Sequence, residues 1–308
     1  MRLLTVGIGL RGAKIAELFY KHGVKVNRVP LFKCFAVLSD ESQIRSVSIG
    51  DDRKYYLRDR RGVPGFINAL TKHYEIWEGN LVITSLEDDF AFEVSVEFCE
   101  RLKSFSEDPV IYLTLIPSLG DIDIREIKKK VRAIQRISDI IIAFEGKAES
   151  DSKILNALNL LALAGEVDIK RRIAGEVVVD TSDVFNALKS DGFSVVGFAE
   201  QKISNLNTFK KGSELKAIRT RRMLELLDKA MENLSINGDL AGAKSSLILF
   251  CGPKDEITME GIFEAINKVE KLNKDMAIRY GDCPISPSMI SKKLAVVVLF
   301  SGLRSFKF

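Results

Sequence analysis

The sequence contains very few residues of the kinds on which many enzymes and metal sites depend. Its 308 residues include two histidines, His22 and His73, and one tryptophan. This scarcity argues against a histidine-based zinc centre and against a Ser-His-Asp triad. The four cysteines lie far apart, at Cys34, Cys99, Cys251 and Cys283. Because no two of them are closely spaced, we expect free thiols rather than disulfides or a metal site.

Long apolar runs and a strong charge of either sign are also missing. No stretch approaches the length of a membrane-spanning helix, and the first residues lead into a strand pattern rather than a signal peptide. We therefore expect a cytoplasmic protein without a transmembrane segment. The formal net charge of +4 is too small to imply a nucleic-acid partner. With 46% hydrophobic and 29% charged residues, the composition is typical of a globular protein with one large domain or two moderate ones.

The first half of the chain alternates apolar strand patterns with helical patterns. The predicted strands are Leu3–Val6, Lys33–Leu38, Leu81–Thr84, Val110–Leu115 and Ile140–Phe144. The predicted helices are Arg11–Tyr20, Gly65–Tyr74, Ala91–Lys103 and Ile124–Ile137. Strands rich in Ile, Val and Leu that alternate with helices indicate a parallel sheet covered on both faces. The pattern predicts a doubly wound α/β domain over residues 1–150.

A long helix follows, and after it a domain with a different pattern of strands and helices. Ser150–Ser152 supplies capping residues, and apolar positions then recur at helical spacing to about Arg171. This pattern predicts a central helix over residues 151–172, followed by an α+β domain over residues 173–308. The predicted elements of the second domain are strands at Glu176–Val179, Phe193–Ala199, Ser245–Cys251, Met276–Tyr280 and Leu294–Phe300, and helices from Ser182, at Glu214–Asn233 and at Met259–Lys271.

The segment Gly7-Ile8-Gly9-Leu10-Arg11-Gly12 follows the first strand and opens the first helix. Glycines let the backbone turn sharply and bring amide groups close to a phosphate at the positive end of a helix. A dinucleotide-binding Rossmann domain is one interpretation, with Asp40 as a ribose ligand after the second strand. In the structural alternative, the glycines only let the helix pack tightly against the strand. We favour phosphate binding, because strand, turn and helix come in the required order.

Several segments of the second half resemble the FtsZ/tubulin family of filament-forming GTPases. They are Val179-Asp180-Thr181-Ser182-Asp183-Val184, Ala241–Lys244 ahead of a strand that ends in Gly252-Pro253, Ala277–Gly281 and Leu294–Gly302. The chain is thus identified as a divergent, FtsZ-like prokaryotic member, with an archaeal source left open. The resemblance implies a tubulin/FtsZ-like fold whose first domain binds GTP. It also implies head-to-tail filaments, in which the second domain lends acidic residues to the nucleotide of the neighbouring subunit.

The resemblance carries residues over only where this sequence matches the family's motifs. It implies Asp180 and Asp183 as the catalytic pair, with GTP or GDP and magnesium as ligands. The nucleotide-binding residues that fit the family are Gly7, Gly9, Gly12, Asp40, Asp121, Arg125 and Asn159. Arg11 stands where the family prefers a small residue, and Val178 replaces its usual Asn. An open alternative for the acidic pair is structural, with Asp180 ending a strand and Ser182 or Asp183 capping the next helix.

The family's glycine-rich phosphate loop is absent. At its position, Ser85–Glu93 contains no glycine and four carboxylates. A glycine-rich loop binds phosphate through consecutive backbone N–H groups, whereas Asp88 and Asp89 would bring carboxylates to the same place. At about 4 Å, each like-charge pair costs roughly 4 kcal/mol at intermediate dielectric. A couple of such pairs would remove micromolar affinity for a triphosphate.

The basic segment Arg53–Gly62 lies where the family senses the terminal phosphate. Its simplest interpretation is a solvated loop. Alternatively, Arg58 and Arg61 hold a phosphate in place of the lost loop. In a third interpretation one of the arginines, Arg11, Arg58 or Arg61, pairs with the two aspartates of the altered loop and plugs the site. Of the latter two we favour the plug, because carboxylates at a helix N-terminus are well placed without a ligand.

These observations predict a cytoskeletal FtsZ/tubulin-like protein that assembles head to tail with guanine nucleotide and hydrolyses GTP weakly or in altered form. The alternative is a pseudo-GTPase that binds no nucleotide and modulates a filament-forming relative. An NAD-dependent enzyme is a distant third, since no histidine in the second half can act as catalytic acid or base. The expected partners are a second copy or an FtsZ/tubulin relative, and not nucleic acid. The chain stops at Phe308 without the tail that FtsZ uses for membrane tethers, which argues against ordinary recruitment to a cell-division ring.

Overall fold

The computed structural model describes residues 1–73, 77–117, 124–164, 166, 177–203, 212–284 and 293–304. The chain divides into two compact units, residues 1–155 and residues 156–307. The described strands are β1 (Leu3–Ile8), β2 (Lys25–Val26), β3 (Val29–Pro30), β4 (Phe32–Leu38), β5 (Lys54–Tyr56), β6 (Gly79–Ser85), β7 (Val110–Ile116), β8 (Ile140–Glu145), β9 (Phe193–Lys202), β10 (Ser245–Gly252), β11 (Ala277–Pro284) and β12 (Lys293–Leu303). The described helices are α1 (Gly9–His22), α2 (Glu41–Ser46), α3 (Val63–Leu70), α4 (Asp89–Phe105), α5 (Ile124–Ile137), α6 (Ser150–Leu163), α7 (Thr181–Leu188), α8 (Gly212–Glu232) and α9 (Met259–Glu270).

Unit 1 is built on a six-stranded parallel sheet with the strand order β8-β7-β6-β1-β4-β5. Every residue of β1, β4, β6 and β7 is buried. Strands buried along their whole length are expected in a parallel sheet, where both faces are covered. The predicted α/β class with a parallel sheet is confirmed. The short strands β2 and β3 pair with each other as an antiparallel hairpin, which the sequence analysis did not predict.

Helix α5 shows why the helices form where the sequence predicts them. Ile127, Ile134 and Ile137 are buried and recur at helical spacing, so one face of the helix packs into the core. The intervening basic residues are exposed, apart from Lys130, which is only 9% exposed. A lysine on the buried face requires a partner, because an unpaired buried charge is costly.

Unit 2 contains a four-stranded mixed sheet with the order β11-β10-β12-β9. Strands β10 and β11 are parallel, whereas β12 runs antiparallel to both of its neighbours. Helix α8 presents four buried residues at helical spacing, which are Met223, Leu226, Leu227 and Ala230. The strands and helices of this unit follow the predicted order from Ser182 onward.

The strand predicted at Glu176–Val179 is wrong for the residues that the structure describes. Residues 177–180 are not part of any sheet. Instead, the N–H of Val177 donates to Asp282 Oδ1 at 2.7 Å, and the N–H of Asp282 donates to the carbonyl of Val177 at 2.9 Å. The apolar run is therefore held by a side-chain carboxylate and one backbone bond, which local sequence pattern does not reveal.

Helix α6 begins at Ser150, one residue before the predicted start, and ends at Leu163. The N–H groups of Ala164 and Glu166 donate to the carbonyls of Leu161 and Leu163, three residues earlier, so the last turns are tighter than α-helical. Of the predicted continuation to residue 172, residues 164 and 166 lie beyond the end of α6, and residues 165 and 167–172 lie outside the described residues. None of the helices in the described ranges is long and apolar enough to span a bilayer.

Candidate functional site

Four loops of unit 1 meet at one edge of its sheet. In a parallel sheet the carboxyl ends of the strands share an edge, and ligands of α/β proteins bind there. The segments that leave this edge after β1, β4, β6 and β8 carry Gly9, Asp40, Asp88 and Asp151. Topology therefore places three predicted site residues, and one that was not predicted, on the same edge.

The three glycines of the first loop have different roles. A Cβ atom on Gly7 would lie 2.2 Å from the carbonyl oxygen of Gly12, and a Cβ on Gly12 would lie 2.2 Å from the carbonyl oxygen of Ile83. Both glycines are thus required by close packing of helix α1 against the strands. Gly9 differs, because its φ of +75° is a conformation that other residues rarely adopt. The packing alternative accounts for Gly7 and Gly12, and only Gly9 has the turn conformation of a ligand-binding loop.

The carboxylate of Asp88 lies directly against Gly9. A Cβ atom on Gly9 would come within 2.4 Å of Asp88 Oδ2. The other oxygen, Oδ1, accepts a hydrogen bond of 2.9 Å from the N–H of Ala91, so Asp88 caps the start of helix α4. Asp88, at the position of the family's glycine-rich loop, therefore has Oδ2 at the start of α1 and Oδ1 at the start of α4.

Lys130 of α5 binds the segment Ser85–Glu93, which stands in place of the glycine-rich loop. Its Nζ donates to the carbonyl of Leu86 at 2.8 Å and to Asp89 Oδ1 at 2.5 Å. Glu126 lies 3.7 Å away on the same helix, and the ring of Phe92 lies 5.4 Å from the ammonium group. The buried lysine of α5 thus obtains its hydrogen-bond partners from Leu86, in the loop before α4, and from Asp89, the first residue of α4.

The prediction that an arginine pairs with Asp88 and Asp89 is wrong. Arg11 instead forms two hydrogen bonds with Asp151, one of 2.9 Å from Nη1 and a shorter one from Nη2, and Nη2 also donates to the carbonyl of Lys147 at 3.0 Å. Arg61 pairs with Asp59, two residues earlier, at 2.6 Å. Arg61 binds Asp59, which is close to it in sequence. Arg11 binds Asp151 in the first turn of α6, where the helix dipole favours an acidic residue.

The other predicted nucleotide ligands are placed as follows. Asp40 caps helix α2 and accepts a hydrogen bond from the N–H of Ser42 at 2.6 Å. The hydrogen bond with the Ser42 side chain, followed by this backbone bond, lowers the pKa of Asp40. Arg58 is exposed. Arg125 is exposed at the start of α5, whereas Asp121 lies outside the described residues. Asn159 is half-buried on α6, eight residues beyond Asp151. All of these nucleotide contacts remain predictions.

In unit 2, Asp180 and Asp183 form a reciprocal helix cap. Asp180 Oδ1 accepts from the N–H of Asp183 at 2.8 Å, and Asp183 Oδ2 accepts from the N–H of Asp180 at 3.3 Å. The hydroxyl of Ser182 also donates to Asp180 and, as the largest influence, lowers the pKa of that carboxyl. The structural alternative is therefore partly right: an aspartate caps α7, but the capping residue is Asp180 and it ends no strand. Arg279 lies 3.8 Å from Asp183.

Sequence reasoning missed Lys130 and Asp151. A signal for Lys130 exists, since it falls in helical phase with the buried isoleucines of α5, whereas the adjacent basic residues Lys128 and Lys129 do not. Asp151 was recognised only as a capping residue, because nothing in local sequence indicates that Arg11, 140 positions earlier, reaches it. In the part of the chain that the structure describes, no group of three or more His, Cys, Asp or Glu side chains could hold a metal ion.

If a phosphate bound at the turn of Gly9, as the sequence predicts, it would meet the carboxylate of Asp88 there. The turn at Gly9 and the start of α1 suit an anion, because free N–H groups and the helix dipole favour negative charge. That position is taken by Oδ2 of the chain's own aspartate. A nucleotide phosphate does not fit there unless Asp88 moves.

Comparison with known proteins agrees with this architecture. Residues 144–307 match the family model described as tubulin-like CetZ, C-terminal domain. The chain is 25% identical over 355 aligned positions to the tubulin-like protein CetZ1 of Haloferax volcanii, covering 98% of this chain and 88% of the relative.

Solved structures show the same fold. The GDP-bound monomer of CetZ1 from Haloferax volcanii has a TM-score of 0.79 at 22% identity, covering 98% of this chain and 94% of that one. The GTPγS-bound protofilament of CetZ2 from the same organism has a TM-score of 0.79 at 19% identity, covering 100% and 95%. An empty FtsZ dimer from M. jannaschii has a TM-score of 0.71 at 14% identity, covering 100% and 93%. The fold expected from the FtsZ/tubulin resemblance is confirmed, and the chain belongs to the tubulin-like CetZ family.

Proposed function

We propose that this protein is a cytoskeletal element that assembles head to tail in a manner linked to guanine nucleotide, with weak or altered GTP hydrolysis. The observation that carries the proposal is the family match over residues 144–307, which includes the acidic loop of Asp180 and Asp183. Relatives support it, since CetZ2 has been solved as a GTPγS-bound protofilament and CetZ1 as a GDP-bound monomer.

Asp180 and Asp183 are the residues that we expect to act on the nucleotide of a neighbouring subunit. Asp180 is exposed and Asp183 is half-buried at the start of α7, where both carboxylates are already oriented by the reciprocal cap. Carboxylates fixed in this way can orient and polarise a water molecule. Magnesium, as the ion that offsets phosphate charge, belongs to the same proposal. We expect slow hydrolysis, because Val178 replaces a polar residue and Asp88 opposes the phosphates.

The test measures both the assembly of the protein into polymer and the nucleotide that the protein contains. Purified protein at micromolar concentration is denatured, and released nucleotide is identified by chromatography. Native protein is then incubated with GTP, GDP or no nucleotide in magnesium buffer, and sedimentation, electron microscopy and phosphate release are measured. Polymer that forms with GTP supports the proposal. A monomer at every concentration and with every nucleotide contradicts head-to-tail assembly.

The same experiment addresses the remaining expectations. A protein that forms no polymer alone but joins filaments of an FtsZ/tubulin relative would match the pseudo-GTPase alternative. A cytoplasmic location is a prediction as well, and so is a role in cell division that does not use the FtsZ-type tail for recruitment to the division ring; fluorescence imaging of the tagged protein in its own cells tests both.

A further inference from the structure

We propose that Asp88 is an internal anion that occupies the phosphate position beside Gly9, and that Lys130 is the residue that keeps it there. A nucleotide then binds only by displacing this side chain. The inference rests on the proposed function, because it concerns the same nucleotide site. It goes further by naming the two residues that determine how strongly an internal carboxylate competes with a nucleotide phosphate for the position beside Gly9.

Helix α1 begins without a capping side chain and without an acidic residue of its own in the first turn. The residue before the helix is Ile8, which makes no side-chain cap, and the first turn of α1 contains no acidic residue. The first N–H groups of any helix lack partners within the helix, and the helix dipole adds positive potential there. Asp88 Oδ2, which lies against Gly9, is the negative group that the structure places at this helix start.

Asp88 is also fixed by its own helix. Its Oδ1 accepts from the N–H of Ala91, so the carboxylate is oriented by the first turn of α4 at the same time as it faces α1. One side chain thus caps the start of α4 through a hydrogen bond and places its second oxygen at the start of α1. This double role explains why the loop tolerates a carboxylate at a position where like charges would oppose a nucleotide.

Lys130 restrains the loop that carries Asp88. It holds the loop on both sides of that residue, through the carbonyl of Leu86 and the carboxylate of Asp89. Since Lys130 is only 9% exposed, this contact is built into the packing of α5 and α4 rather than made by a solvated side chain. With Leu86 and Asp89 held, Asp88 between them has little freedom to leave Gly9.

The experiment is calorimetric titration of GTP and of inorganic pyrophosphate, both with magnesium, into the wild type and four variants. Asp88→Asn keeps a good helix cap and removes the charge, and Asp88→Ser keeps a cap but removes the whole carboxylate. Lys130→Met releases the loop while preserving side-chain length. The matched control for charge is Asp191→Asn, whose carboxylate is 97% exposed and lies in unit 2.

We expect both Asp88 variants to bind GTP and pyrophosphate at least ten-fold more tightly than the wild type, and Lys130→Met to bind more tightly as well. Asp191→Asn should match the wild type. Dissociation constants for the Asp88 variants that equal the wild-type value, including the case in which none of the proteins binds, would overturn the inference. Sedimentation of the same samples separates the two proposals. Tighter binding by Asp88→Asn without polymer in any sample would support the internal anion and contradict head-to-tail assembly.

Discussion

Arg11 and Asp151 join the start of helix α1 to the first turn of helix α6 through two parallel hydrogen bonds. Each side chain is 26% exposed, so the pair is partly shielded from water. A forked guanidinium–carboxylate pair of this kind is stronger and more directional than an ordinary surface ion pair. It links two of the segments that leave the carboxyl edge of the sheet in unit 1.

We expect a coupling energy of about 1 kcal/mol between Arg11 and Asp151, measured from the urea unfolding of Arg11→Gln, Asp151→Asn and the double variant. The control is the pair of Arg45 and Glu41, which are 81% and 79% exposed and 3.9 Å apart, where the coupling should be near zero. Equal coupling energies in the two cycles would show that the Arg11–Asp151 pair is no stronger than a solvated one.

The packing role of Gly12 can be tested by adding a single methyl group. In Gly12→Ala the new Cβ would lie 2.2 Å from the carbonyl oxygen of Ile83, so backbone must shift, and we expect a loss of about 2 kcal/mol or more in unfolding free energy. Gly65→Ala is the matched control, since nothing lies within 4 Å of its added methyl group on helix α3. That change should be neutral or stabilise by roughly 0.5 kcal/mol. An unchanged stability of Gly12→Ala would contradict close packing at this position.

Glu17 makes stability depend on pH. Burial of this carboxyl would raise its pKa, but hydrogen bonds from Lys21, Lys14 and Ser48 outweigh burial and lower the pKa from 4.5 to about 2. Because the pKa is lower in the folded state, the stabilisation is complete above about pH 4.5 and is lost as the pH falls toward 2. It amounts to about 3 kcal/mol at most.

The measurement for Glu17 is urea unfolding of the wild type and Glu17→Gln between pH 6 and pH 2.5. We expect the difference in unfolding free energy between the two proteins to shrink steadily below about pH 4.5. The exposed Glu41→Gln serves as the control and should show a small difference that changes little with pH. A difference for Glu17→Gln that stays constant across this range would mean that the carboxyl is not the source of the acid sensitivity.

Asp180 has a structural role and a proposed catalytic role that two substitutions can separate. Asp180→Asn keeps a good helix cap, so we expect unchanged unfolding free energy but GTP hydrolysis at least ten-fold slower than in the wild type. Asp180→Ala should be equally slow and also less stable by about 1 kcal/mol, because the cap of α7 is lost. The measurements are phosphate release under polymerising conditions and urea unfolding. Wild-type hydrolysis by Asp180→Asn would leave Asp180 as a helix cap only.

Much of the fold was predictable because its signals are local. The buried strands β1, β4, β6 and β7 are mostly apolar, and helices such as α5 repeat isoleucine at helical spacing. From such patterns, the buried face or faces of a helix or strand can be predicted without knowing which distant residues it contacts. The segment at residues 177–179 shows the limit, since an equally apolar run does not pair as a strand and Val177 is held by the side chain and the N–H of a single residue of β11, Asp282.

The sequence by itself determined the parallel α/β architecture, the family and the fact that the glycine-rich phosphate loop is replaced. These properties depend on residue type and on spacing along the chain. The tertiary structure decided which charges meet: Asp89 pairs with Lys130, 41 positions later, and Arg11 pairs with Asp151. It also distinguished Gly9, with its positive φ, from the two glycines that packing requires. Partners of charged side chains depend on how distant helices pack, because ionic contacts act over only a few ångströms and local spacing carries no information about them.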